Sequence, residues 1–199
     1  MRRESGGGWC LAEASQASSF DSLLDESCDL VCERLRAAVA GMLDKADEAL
    51  TALVTATQNR EAQEVYQDTR KLVAAERQKL ETEFHQAYLT EFRKHTSKVK
   101  DAESFADLEA SLTLVGEEDL EETLKFRELA TKLRKYCDEE LAALDQRVGV
   151  LLGDANLQAE NNPFSPETIC DAYQQACHAL DTNMKVRGVL RKLFDDHVV

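Results

Sequence analysis

From Phe20 onward the chain carries a helical rhythm. Apolar residues at Leu24, Cys28, Val31, Leu35, Ala38, Met42, Ala46, Ala49 and Leu53 are spaced by threes and fours, the repeat that places side chains on one helix face. Asp29, Glu33, Arg36 and Lys45 fall between them and form the solvated side. One long amphipathic helix is predicted, interrupted at most by Gly41, and at 1.5 Å per residue it spans about 50 Å. The polar run Thr57 to Glu61, TQNRE, reads as a turn. Beyond it, Val65, Thr69, Leu72, Leu80, Phe84, Ala87, Tyr88 and Phe92 mark a second long helix that ends between Lys94 and Lys100. A short connection makes such helices antiparallel neighbours.

Asp101 to Glu122 holds nine acidic residues and no basic one, with an apolar centre at Leu112, Leu114 and Val115. It reads as a short helical turn, an extended piece and the start of a new helix near Glu117, where acidic residues suit the positive end of the helix dipole. A third helix then runs through Leu120, Leu124, Leu133, Cys137, Leu141, Leu144, Val148 and Leu151 to a C-terminal cap at Gly153. The stretch NNPFSPETICDAY, Asn161 to Tyr173, contains both prolines of the chain. Ser165 stands at an N-cap position, Pro166 at the first helical position, and Phe164 is placed to pack on Ile169 as a hydrophobic staple. A short helix follows through Ile169, Tyr173, Ala176 and Leu180, and another through Val186, Val189, Leu190, Leu193 and Phe194.

The expected fold is all-α. It is an elongated helical bundle built on a long antiparallel hairpin, with a third long helix packed against it and two short C-terminal helices closing one end. Residues 1–19, rich in Gly, Ser and Ala and without a sustained period, are expected to be a disordered leader, and residues 20–199 a single helical domain. The last residues, FDDHVV, keep the helical pattern without a cap, which suggests an N-terminal fragment of a longer protein.

Composition narrows the function classes. With 31% charged residues, 8 glycines and 2 prolines in 199 residues, the chain lacks the turns that sandwiches and barrels require. A net charge of -14 makes the whole surface a poor phosphate neutraliser, so no nucleic-acid partner is expected. No window approaches the roughly 20 apolar residues of a membrane span, so no membrane partner is expected either. Six scattered cysteines without a secretory signal fit reduced thiols in the cytoplasm.

Candidate chemistry is sparse. Cys28 and Cys32 lie one helical turn apart, and Cys170 and Cys177 two turns apart, but the compact ligand spacing of a zinc site is missing. A cysteine on an apolar stripe serves as a small hydrophobe, so no metal and no cofactor is expected. His85, His95, His178 and His197 form no metalloprotease pattern, and neither a nucleophile elbow nor a phosphate-cradling glycine loop is present. An enzyme is therefore not expected. The clearest charge feature is MKVRGVLRKL, where Lys185, Arg187, Arg191 and Lys192 gather on one short helix of an acidic chain. Two readings follow: a site for a phosphorylated ligand or acidic partner, and cations that neutralise the acidic segment ending at Glu122 or solvate a helix face.

Three segments taken together, ASLTLVGEEDLEETL, NNPFSPETICDAY and MKVRGVLRKLFDDHVV, resemble the N-terminal part of a bacterial family, domain-of-unknown-function family 1631. The likeness rests on an acidic segment after a serine-leucine-valine run, an Asn-Pro before the capped helix, and a closing Lys-Val-Arg helix with Leu193, Phe194, Asp195, His197 and Val198 in the family's pattern. The resemblance implies the N-terminal portion of a large bacterial cytoplasmic protein and carries over no catalytic residues. Some such proteins are linked with cyclic-dinucleotide signalling through distal regions, whose RxxxR and D/N-x-S-x-x-G motifs this chain lacks.

The function expected from the sequence is that of a non-catalytic helical module for protein interaction or regulation. An exposed part of a helical stripe, or the proline-rich corner, would present apolar residues such as Phe164 to a protein partner or a second copy. The alternative is a regulatory module in which Lys185, Arg187, Arg191 and Lys192 bind a phosphorylated small molecule such as a cyclic dinucleotide.

Overall fold

The computed structural model describes residues 8–100 and 117–198 of the chain. They form six α-helices: α1 (Gly8–Ala56), α2 (Arg60–Lys100), α3 (Glu117–Tyr136), α4 (Asp138–Leu152), α5 (Pro166–His178) and α6 (Met184–His197), with one 3₁₀ turn at Ala159–Asn161. No strand occurs among the described residues, and no described helix is long and apolar enough to cross a membrane. The leader expected over residues 1–19 is helical from Gly8 onward, and residues 1–7 lie outside the described residues. The expected turn and extended piece over residues 101–116 also lie outside them.

The hairpin forms as its pattern requires. Between α1 and α2 only residues 57–59 are non-helical, and the Asn59 side chain caps α2 by accepting from the Glu61 and Ala62 amides at 2.9 and 3.3 Å. Leu24, Cys28, Cys32, Val39, Met42, Leu43, Ala46 and Leu50 are buried on α1, opposite Leu80, Phe84, Tyr88 and Phe92 of α2. Arg77 bridges the helices, donating to Asp44 at 2.7 Å and to the Ala40 carbonyl at 3.4 Å, and Arg70 pairs with Asp47. These ion pairs are solvated and add little to stability. Burial of the facing apolar stripes holds the hairpin together.

Two features of the arrangement differ from the expectation. The predicted third long helix is broken at Cys137, whose backbone sits at φ -123° and ψ 35°, outside helical values. Arg134 and Lys135 close α3, while Asp138, Glu139 and Glu140 open α4, and each set of charges suits the dipole end it occupies. Cys137 itself is exposed, not part of a buried stripe. Leu120 and Leu124 are likewise exposed at the start of α3.

The second difference concerns α5. Rather than closing one end of the bundle, α5 lies between α2 and α3. The buried Tyr173 marks the junction: its ring meets Phe84 of α2 edge-on at 5.9 Å, Phe126 of α3 at 6.3 Å and Phe194 of α6 in a stack at 4.2 Å. Its hydroxyl donates to the Leu190 carbonyl at 3.3 Å. A helix packed on several sides must be apolar around much of its circumference, and α5 buries Pro166, Thr168, Cys170, Ala172, Tyr173, Ala176 and Cys177. The end of α4 is shaped by two glycines. Gly153 is the C-cap at φ 73°, and a Cβ on Gly149 would stand 2.7 Å from the Asp154 carbonyl oxygen where the chain turns back.

Candidate functional site

The proline-rich corner is a structural joint. Ser165 caps α5 by accepting from the Thr168 amide at 3.2 Å, and Pro166 occupies the first turn. Asn162, fully buried, accepts from the Phe164 amide at 2.9 Å and donates through its amide to Asp145 at 2.6 Å. Arg134 clamps the same corner from α3, donating to both Glu167 oxygens at 3.0 and 2.6 Å and to the Ala159 carbonyl at 3.0 Å. The Tyr88 hydroxyl reaches the Pro163 carbonyl at 3.4 Å. Phe164, expected as an exposed anchor, is buried with its ring 5.4 Å from that of Phe92. The reason is geometric: two prolines and the Asn162 bonds turn the segment inward, and the core of α2 receives the ring.

The basic residues of α6 are not gathered into one site. Arg187 donates to both oxygens of Glu122 at 3.0 and 3.3 Å and to the Thr182 carbonyl at 3.3 Å, with Asp119 at 3.6 Å. The Arg187 and Glu122 side chains retain only 14% and 5% of their exposure, so this guanidinium neutralises the acidic start of α3. Lys185 pairs with Glu61 across the hairpin tip. Arg191 is half-buried, and Lys192 is exposed at the rim of an apolar cleft of about 340 Å³ between the end of α1 and α6.

Asp119, Glu122 and His178 are the one set of three potential metal ligands whose atoms lie within 4.8 Å of one another among the described residues. The Arg187 guanidinium already supplies the positive charge there. Among the described residues the cysteines form no such set. Cys28 and Cys32 lie with their sulfurs 4.0 Å apart, and burial, with the neighbouring Cys32 thiol second, pushes the Cys28 thiol up to about 12. Burial raises Cys170 and Cys177 to about 12 as well. Thiols held protonated in an apolar interior are poor nucleophiles and poor ligands.

Two surface features have residues that the sequence does not single out. One is an apolar strip on the outer side of α1, where Phe20, Leu23 and Leu30 are 37%, 48% and 55% exposed although Leu24, Cys28 and Cys32 beside them are buried. Their three- and seven-residue spacing gave the signal, which the stronger core stripe masked. The other is a groove of about 430 Å³ between α2, α3, the 3₁₀ turn and α5, lined by charged residues of both signs over Phe126 and Ala130. In it Glu91 accepts from Gln175 at 2.9 Å and Lys94 at 3.1 Å. Burial raises the Glu91 carboxyl, but these donors outweigh it and hold the group below the usual carboxylate range.

Neither a curated protein nor a solved structure matches the chain. A family model does. Residues 19–199 match the one described as the N-terminal domain of a protein of unknown function, DUF1631, and with nearly the whole chain covered, this protein belongs to that family.

Proposed function

We propose that the chain is a non-catalytic helical module that works by binding another protein through the outer face of α1. The observation that carries this reading is the exposed strip of Phe20, Leu23 and Leu30. Large apolar side chains left in water on one helix face suit the apolar face of a partner helix. Glu26 and Glu33, each three residues on from Leu23 and Leu30, border the strip and would favour a partner helix rimmed by Lys or Arg.

The test is retention of a stoichiometric partner by the immobilised protein at moderate salt, compared with the Leu23→Glu and Leu30→Glu double variant. Loss of the partner with an unchanged melting temperature is the expected result. A partner retained equally by both proteins would defeat the reading.

The second reading, a phosphorylated small molecule held by α6, has less support. Arg187 is committed to Glu122 and Lys185 to Glu61, which leaves Arg191 and Lys192. Titration with a cyclic dinucleotide, against an Arg191→Ala and Lys192→Ala variant, distinguishes it: saturable heat that vanishes in the variant would revive it.

A further inference from the structure

The groove between α2, α3 and α5 combines features that the interaction surface on α1 does not explain. Its floor is apolar, formed by Phe126 and Ala130. Its walls carry the carboxylates Glu91, Glu160, Glu167 and Asp171 and the cations Lys94 and Arg127, with His95 beside them. Most of these charges are already matched: Lys94 and Gln175 hold Glu91, and Arg134 holds Glu167. Asp171 on α5 and Arg127 on α3 are exposed, and the Arg127 and Lys94 charges both act on the Asp171 carboxylate. A carboxylate and a guanidinium, neither closed into a side-chain ion pair among the described residues, therefore face the same cleft, and Glu160 adds a further carboxylate. The volume falls in the range of small-molecule sites.

We propose that this groove binds a small aliphatic zwitterion of the α-amino-acid class. Asp171 takes the ammonium group, Arg127 takes the carboxylate, and Phe126 and Ala130 lie under the side chain. The guanidinium fork is the geometry that recognises a carboxylate through two parallel hydrogen bonds. Burial in the groove, and after it the Glu91 charge, raises the Asp171 carboxyl above its ordinary range, against the Arg127 and Lys94 charges that lower it. A ligand ammonium beside Asp171 would favour its ionised form in the same way as those cations. Binding requires ionised Asp171, so affinity falls as pH drops through the titration of this group.

The experiment is a nuclear magnetic resonance titration of the whole chain with glycine, L-leucine and L-lysine, each tested singly. Whichever binds is then compared with its analogues lacking the carboxylate or the ammonium. Saturable shifts confined to groove residues of α2, α3 and α5 are expected, with each single-charge analogue weaker by about tenfold or more, the cost of one lost charged contact. Asp171→Asn and Arg127→Gln, both at exposed positions, should weaken binding to a similar degree, and Asp171→Asn should abolish the acid limb of the pH profile. Absence of saturable shifts with all three amino acids, a single-charge amine that binds as well as its parent, or variants that bind unaltered would each overturn the assignment. The outcome is independent of the partner test on α1.

Discussion

The outer half of α1 and the inserted helix α5 use apolar residues in opposite ways. Along α1 the buried positions follow a single stripe, and Phe20, Leu23 and Leu30 lie outside it. Along α5 seven of thirteen residues are buried, because α2, α3 and α6 all meet it. A long helix at the edge of a bundle has one covered face, whereas a short helix at the centre has little surface to spare. Of the distinctive segments of the sequence, NNPFSP is taken up in a joint, and MKVRG supplies one buried ion pair, Arg187 with Glu122, and one solvated pair, Lys185 with Glu61. The exposed apolar strip lies instead on α1, where the pattern is most generic.

The contrast can be broken most severely at Tyr173. Truncation to alanine removes contacts with three helices and should cost about 3–5 kcal/mol, as large buried aromatics do, read as a fall in the denaturation midpoint at unchanged slope. Next comes Arg187→Ala, which strands the buried Glu122 carboxylate and should cost about 2–3 kcal/mol. Lys185→Ala, at an equally basic position on α6 but in a solvated pair with Glu61, should leave the midpoint unmoved. Equal effects at the two positions would erase the distinction between buried and solvated cations.

Loss of the α5 cap in Ser165→Ala should cost about 1 kcal/mol, visible in a thermal melt. The smallest expected effect is that of Leu30→Glu, within about 0.5 kcal/mol because the side chain already stands in water. A larger loss would mean that the outer face of α1 is covered in solution.

The hairpin, its turn near Asn59, the Ser165 cap and both short C-terminal helices were legible because each rests on local chemistry: apolar period, turn residues, N-cap and N1 proline. The break at Cys137 was also written locally, in Arg134 and Lys135 followed, after two intervening residues, by three acidic ones, but an apolar period running through it concealed the change. The place of α5 was not legible. An amphipathic pattern states which face is apolar, not which neighbour covers it, and nothing in PETICDAY distinguishes a central helix from one at the end of a bundle. Phe164 was misread for the same reason, since its inward turn depends on Asn162 reaching Asp145, 17 residues away. For Arg187, the sequence allows both a neutralising and a ligand-binding reading, and the 3.0 Å contact with Glu122 depends on a partner 65 residues away.

The insertion of α5 also has a consequence for how the chain is made. The Phe84 and Tyr173 rings that meet in the interior come from opposite halves of the chain, and the Tyr173 to Phe194 stack needs residues near its end. During synthesis the hairpin emerges first and must wait, its inner face uncovered, until α5 and α6 leave the ribosome. Contacts this distant in sequence slow folding and lengthen the exposure of apolar surface. Nascent chains stalled before α5 should therefore be the species most prone to aggregate or to engage chaperones.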